Sequence, residues 1–208
     1  MNPPAVAAGR MAALLSPTRR LLLALLSAAA MLSGPVRAEA PPAGSAAVMA
    51  ALREPGTIVL MRHARAPGVG DPAGFKLDDC STQRNLNDEG RADARALGQR
   101  LREAGVPVGR VLSSAWCRCL ETARLLGVGP VQAHPAFASI FPDDAKGDEI
   151  TAQARQVIAD WRGPGVLLAV THQVNIQALA GVNTSSGEMV VLKKRPDGTL
   201  QEVGRLQP

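Results

Sequence analysis

Two of the three histidines stand at the ends of the two most apolar strand-like runs of the chain. Gly56–Met61, GTIVLM, leads into Arg62 and His63, and Gly165–Thr171, GVLLAVT, leads into His172. A third candidate, Arg118, falls in the first turn of the helix expected after the strand-like RVLSS. Any one of these residues alone is ordinary, a satisfied polar histidine or a solvated arginine. Together at the ends of three strands they have a chemistry in common. Two guanidinium forks and an imidazolium can neutralise the equatorial oxygens of a phosphoryl dianion without a metal.

Such a constellation requires elements that bring distant residues to one place. Continuous apolar, β-branched runs suit strands buried on both faces of a parallel sheet. In open parallel sheets, ligands bind in the crevice beyond the carboxyl ends of the strands, so His63, His172, Arg62 and Arg118 should face one cleft. The remaining text alternates strand and helix. A short helix is expected over Ala46–Arg53, and a helix capped by Asn87 runs to Glu103, with Ala92, Ala96, Leu97 and Leu101 at helical spacing. A strand over Arg110–Ser113, a helix over Trp116–Leu126, a short strand near Val131 and a helix from about Glu149 to Trp161 follow. GEMVVLKKRPDGTLQEVGRL closes the chain as two strand-like runs around Pro196-Asp197-Gly198, a hairpin at one sheet edge. The alternation predicts a layered α/β domain with a mainly parallel sheet. Two long irregular stretches, Ala64–Asn85 and Pro135–Gly147, exceed ordinary connections and are expected to be functional loops.

Composition removes one class of function and suggests an address. Of 208 residues only 2% are aromatic and none is Tyr, so the stacking platforms that hold single-stranded nucleic acid have little to be built from. Four of the five net positive charges belong to the first 38 residues, which hold Arg10, Arg19, Arg20 and Arg37 and no acid. Removing those four from the 23 basic residues leaves 19 against 18 acidic ones, a net of +1. The same segment reads as a secretory leader: arginines, an apolar run over Leu21–Leu32, a Gly34-Pro35 break, then small residues at Val36 and Ala38. The run falls short of the roughly 20 residues that span a bilayer, so no permanent membrane anchor is expected. Cleavage is placed after Ala38, giving a leader over 1–38, a Pro/Ala/Gly tether with a short helix over 39–55, and a domain over 56–208 that works in the periplasm or outside the cell. There a disulfide persists. Cys117 and Cys119 point about 200° apart on a helix, which argues against a shared metal. Cys80, in the long loop bordering the same cleft, should pair with Cys117 or Cys119 and leave one thiol free. His134 is expected to be structural, Trp116 and Trp161 to be packing residues, and Lys193-Lys194-Arg195 to be a solvated hairpin end.

Four ordered segments carry a resemblance to a known family: LMRHA at Leu60–Ala64, NLNDEGRADARALGQRLRE, SSAWCRCLETA and VTHQVNIQALAG. Over roughly residues 56 to 195 the chain resembles the histidine phosphatase superfamily, the phosphoglycerate-mutase-like proteins. The resemblance implies a three-layer α/β domain with a mainly parallel central sheet, helices on both faces and a C-terminal edge hairpin. It implies His63 as the nucleophile that forms a phosphohistidine, with Arg62, Arg118 and His172 as the phosphate clamp, and no metal or cofactor. Arg65 and Gln173 are the neighbouring candidates for substrate binding. Ala64 stands where the family usually has Gly, a mild change if its φ is negative. His63 must attack as neutral imidazole, and adjacent arginines lower its pKa from about 6.5. His172 can take a proton once phosphate binds.

The proton donor is the weak point of the match. Where many relatives carry a Glu early in the second loop or an Asp after the second His, this chain has Ser139 and Gln173. Asp143 is the favoured substitute, following Ile140-Phe141 and Pro142, with Asp144, Glu188 and Asp78-Asp79 as alternatives and Asp148 as the cap of the next helix. The expected activity is hydrolysis of a small phosphate ester or a cell-envelope sugar phosphate. Rival readings are a phosphoglycerate-mutase-type phosphotransferase and a phosphate-binding module without efficient turnover.

Overall fold

A computed structural model of the chain describes residues 43–141 and 144–208. The expected leader, its expected cleavage point after Ala38, the start of the tether and the candidate acid Asp143 therefore lie outside the described residues. Six strands form one sheet: β1 (Ile58–Arg62), β2 (Val108–Ser113), β3 (Val131–Ala133), β4 (Val166–Thr171), β5 (Met189–Lys194) and β6 (Leu200–Leu206). Their spatial order is β3-β2-β4-β1-β5-β6. The first four are mutually parallel, while β5 pairs antiparallel with β1 and β6 with β5. The chain thus ends in an edge hairpin, whose turn closes where Arg195 donates its N–H to the Thr199 carbonyl at 2.8 Å.

Among the described residues five helices cover the sheet: α1 (Ala43–Ala51), α2 (Asp88–Glu103), α3 (Cys117–Leu126), α4 (Asp144–Asp160) and α5 (Gln173–Ala180). The period-2 alternation of the strands divides the core into two layers. Val59, Met61, Val111, Leu168, Val170 and Val191 pack with Leu52 of the segment after α1, Leu97 and Leu101 of α2 and Leu126 of α3. Ile58, Leu60, Leu112, Leu167, Ala169 and Val190 pack on the opposite face with Ile158 of α4 and Ile176 of α5. All six residues of β4 are buried, as a central strand with helices on both faces demands. The three-layer α/β architecture expected from the sequence is the one observed.

Two differences have local causes. The first helix starts at Ala43, inside the stretch expected to be a tether, because Val48, Ala51 and Leu52 find burial against the core. Helix α4 starts at Asp144 and not near Glu149. Gly147 weakens a helix only modestly, so the helix can begin ahead of it. Asp148 therefore lies within α4 and does not cap it.

Packing also fixes where α3 can sit. A Cβ on Gly98 of α2 would lie 1.9 Å from the Leu126 carbonyl oxygen, so the two helices touch backbone to backbone. This contact holds the helix that carries Arg118.

Candidate active site

The two histidines meet because their strands end level. In the β1–β4 register Arg62 faces Thr171, the last pair, and the His63 N–H then donates to the Thr171 carbonyl at 3.0 Å. The next residues on the two strands are His63 and His172, whose rings lie 5.6 Å apart edge to face. Strand β2 ends one position off, and the Ser114 N–H donates to the Val170 carbonyl at 2.9 Å. This sets the Ser114 hydroxyl 2.9 Å from His172 Nε2. Thr122 ties α3 to the end of β1 by accepting from the Ala64 N–H at 3.0 Å and donating to the Arg118 carbonyl at 2.6 Å. No described non-glycine residue has a positive φ, so the methyl of Ala64 is accommodated without strain.

His63 is 3% exposed, and its Nδ1 lies 2.8 Å from the Ala64 carbonyl oxygen. A carbonyl only accepts, so this contact places the ring proton on Nδ1 and leaves the lone pair on Nε2. Burial, joined by the charges of Arg118, Arg84 and Arg62, pushes the His63 pKa down to about 3 against the opposing hydrogen bond to Ala64. Burial and the charges of His63 and the same arginines hold His172 well below the ordinary histidine range. Both imidazoles are neutral at pH 7.

The two clamp arginines are anchored alike. Arg62 donates from Nη1 to the Thr184 carbonyl at 2.8 Å. Arg118 donates from Nη1 to both Asp71 carboxylate oxygens, at 2.8 and 3.0 Å. In each, the Nε is buried and has no partner among the described residues. A buried donor left unpaired is costly, more so on a charged group. Both line one cleft of about 540 Å³ together with His63, His172 and Arg84. The cleft offers an oxyanion two guanidinium groups with unspent donors beside an imidazole with a free lone pair.

Its wall is the first long loop. Asp71 has a side chain only 6% exposed and accepts from three groups: Arg118 Nη1 on both oxygens, the Arg84 N–H at 2.9 Å and Trp116 Nε1 at 3.1 Å. Burial alone would raise the Asp71 pKa, but the Arg84 N–H, the Arg118 charge and the Trp116 N–H outweigh it and hold the carboxylate ionised. Arg84 spans the loop through the Gly70 carbonyl at 2.7 Å and the Ala66 carbonyl. Cys80 is bonded to Cys117, one residue before Arg118, and Gln83 accepts from the Cys117 N–H at 3.0 Å. Cys119 is the free thiol, fully buried 3.5 Å from His172 Nε2, and burial pushes its pKa up to about 12.

The structure thus brings His63, Arg62, Arg118 and His172 together and adds three residues that sequence reasoning misses: Asp71, Arg84 and Trp116. The sequence assigns Trp116 to packing, yet its ring meets His172 edge-on at 5.4 Å and forms part of the cleft wall. Gln173 lines the cleft, with its amide 3.3 Å from Asn183, as does Ser139. Arg65 does not line it: its guanidinium pairs with Glu89 at 3.2 Å, around a separate hollow shared with Asp93 and Ser185. Arg65 lies three residues past the end of β1, where the chain has left the sheet, and its pairing with Glu89 of α2 holds the side chain out of the cleft. Among the alternative acids, Glu188 is buried and caps the Ser185 N–H at 2.7 Å while pairing with Arg205. Asp79 caps the turn Cys80–Thr82, and neither it nor Asp78 lines the cleft. Lys193 and Lys194 are not simply solvated, since Lys193 pairs with Glu54 at 2.9 Å and Lys194 donates to the Trp161 carbonyl at 2.7 Å. His134 accepts from the Ala136 N–H at the start of the turn Pro135–Phe137 and plays a structural part.

Known structures share this architecture. The protein histidine phosphatase SixA, solved with tungstate, superposes with a TM-score of 0.51 at 16% identity, covering 73% of this chain and 97% of that one. A phosphoserine phosphatase from Entamoeba histolytica, in complex with 3-phosphoglyceric acid, gives 0.52 at 12% identity over 73% and 97%. A phosphoglycerate mutase from Thermus thermophilus gives 0.50 at 16% identity over 73% and 99%. At these identities the likeness is one of fold. No curated protein matches the chain significantly. The sequence model of the histidine phosphatase superfamily (branch 1) matches residues 58–165, just over half of the chain and all of the segment from β1 through the clamp helix to β4, and the chain belongs to that superfamily.

Proposed function

We propose that the protein is an exported phosphomonoesterase that works through a phosphohistidine. The observation that carries this reading is the pairing of two clamp arginines, each with a buried and unpartnered Nε, with a neutral His63 whose Nδ1 is the protonated nitrogen. In the first step His63 Nε2 bonds to phosphorus as the bond to the leaving oxygen breaks. Arg62, Arg118 and Arg84 meet the charge on the equatorial oxygens. In the second step water attacks phosphorus, the P–N bond breaks and inorganic phosphate leaves, so one hard displacement becomes two easier ones. Export is supported by the leader-like residues 1–38 and agrees with the Cys80–Cys117 disulfide.

A proton donor for the leaving group would contribute about 10² to 10⁴ in rate. Asp143, two residues beyond the cleft-lining Phe141, is our candidate. One observation favours a second reading, a phosphate-binding module or a phosphatase for substrates whose leaving group departs unaided: among the described residues lining the cleft the sole carboxylate is Asp71, already spent on Arg118, Arg84 and Trp116.

Rapid quench of the enzyme with ³²P-labelled substrate tests the mechanism. Acid-labile label should accumulate on wild type and be absent from a folded His63→Ala variant, whose turnover should fall below about one ten-thousandth of wild type. Turnover close to wild type in that variant would end the phosphohistidine mechanism. Asp143→Asn should slow alkyl phosphates strongly and spare p-nitrophenyl phosphate. Equal loss on both, or none on either, removes Asp143 and favours the second reading.

A further inference from the structure

The floor and the mouth of the cleft differ in kind. Its floor gathers Arg62, Arg84, Arg118 and the two imidazoles. Its mouth is carbon. Val69 is 93% exposed, Phe141 53% and Phe75 37%, and all three line the cleft. Leu77, 42% exposed, follows Phe75 in the first loop, and among the exposed large apolar side chains of the described residues only Val203 lies outside the two long loops. Scattered apolar side chains on a surface need no explanation, but their concentration around one opening marks a binding surface. Deeper in, Trp116 continues the apolar wall, its ring 6.1 Å from that of Phe75 and 5.4 Å from that of His172. Among the described residues lining the cleft, the hydrogen-bonding side chains left outside the floor and the Asp71 cluster are those of Ser139 and Gln173. A polyhydroxylated alcohol desolvated in this mouth would leave most of its hydroxyls unpaired, each at a cost.

From this arrangement we infer the substrate class within the proposed phosphatase activity: a phosphate monoester of an apolar alcohol or phenol, and not a sugar phosphate. The phosphate sits on the cationic floor and the aryl or alkyl group lies against Val69, Phe75, Trp116 and Phe141. The inference rests on the phosphatase reading and is tested separately from the chemistry by alkylphosphonates, whose P–C bond is not hydrolysed.

The experiment measures competitive inhibition of p-nitrophenyl phosphate hydrolysis by the n-alkylphosphonates from methyl to octyl, below their micelle concentrations, with 2,3-dihydroxypropylphosphonate as the polar comparison. Burial of a methylene changes binding by up to about fourfold. In this open mouth Ki should fall about two- to threefold per methylene, and the dihydroxypropyl compound should bind more weakly than propylphosphonate. In a Val69→Ser/Phe75→Ser/Phe141→Ser variant the dependence on chain length should flatten. A Ki independent of chain length, a preference for the dihydroxypropyl compound, or an unaltered slope in the triple variant overturns the inference while hydrolysis of p-nitrophenyl phosphate keeps the phosphatase reading intact. A wild-type protein that neither hydrolyses p-nitrophenyl phosphate nor binds methylphosphonate by calorimetry overturns both.

Discussion

The floor and the wall of the cleft are built on different principles. Apart from Arg84, which reaches in from the wall, the floor consists of residues at or just past the ends of β1, β2 and β4, and their places follow from strand register and two buried core layers. The wall is residues 64–85, which contain only a short turn at Cys80–Thr82. Its shape comes from discrete ties: Asp71 to Arg118 and Trp116, Arg84 back to Gly70, Gln83 to Cys117, and the Cys80–Cys117 bond. A floor of this kind is stabilised by the whole fold, whereas a wall of this kind can fail one tie at a time. The difference teaches where damage should appear as lost folding and where as lost catalysis.

The largest effect should come from acid. The unfolded chain protonates both floor histidines below about pH 6.5, whereas the folded one holds His63 neutral down to about 3 and His172 well below its ordinary range. More protons bind to the unfolded state, so stability falls as pH falls, by about 1.4 kcal/mol per pH unit for each histidine. Urea midpoints measured from pH 8 to pH 5 should decline accordingly, and a His63→Gln/His172→Gln variant should decline less. An identical slope in both proteins would mean that the floor is not desolvated.

Next is the wall's cross-link. Cys80 and Cys117 lie 37 residues apart, and closing such a loop stabilises by about 4 kcal/mol in the chain-entropy model. Cys80→Ser should lower the denaturation midpoint by a corresponding amount, and mild reduction of wild type should do the same. If stability held while kcat/KM fell, the bond would matter for the position of Arg118 and not for the fold.

Arg118→Ala removes a charge and His172→Ala a hydrogen-bonding imidazole from the floor, and each should lower kcat about a hundredfold, roughly 3 kcal/mol, in a protein that still folds. The smallest effect is expected at the joint between the two regions. Asp71→Asn keeps the shape but discards the charge that aligns Arg118, and kcat/KM should drop about tenfold, roughly 1.4 kcal/mol, in line with a hydrogen bond to a charged group. A loss as deep as that of Arg118→Ala would make Asp71 part of the chemistry and erase the distinction between floor and wall.

The same division explains what can be read from the sequence. GTIVLM and GVLLAVT are unbroken apolar runs, and a strand buried on both faces leaves little freedom in where it ends, so His63 and His172 are legible as neighbours without any coordinates. Asn87 is legible as a cap, and it does accept from the Gly90 N–H at 2.9 Å. Asp71 is not legible. It lies in a Gly- and Pro-rich stretch without periodicity, 47 positions from the arginine it holds, and no local pattern reports such a contact. A signal exists in the long loop's own composition, since Asp71 and Arg84 are charged residues in a segment too long to be passive. Arg65 misleads for the opposite reason: its closeness to His63 in sequence suggests a shared site, yet a pairing with Glu89 holds it outside the cleft.

The buried thiol of Cys119 bears on how the chain reaches its correct covalent form. It lies two residues from Cys117, near enough in sequence to compete for Cys80 while the chain is folding. Thiol–disulfide exchange requires a thiolate. Once the thiol is buried and its pKa is pushed up to about 12, the thiolate is scarce at pH 7. Folding thus withdraws the one nucleophile that could attack the Cys80–Cys117 bond from within. The native pairing becomes self-protecting: any molecule that closes it and buries Cys119 is removed from further exchange, whereas a Cys80–Cys119 isomer leaves Cys117 available to correct it.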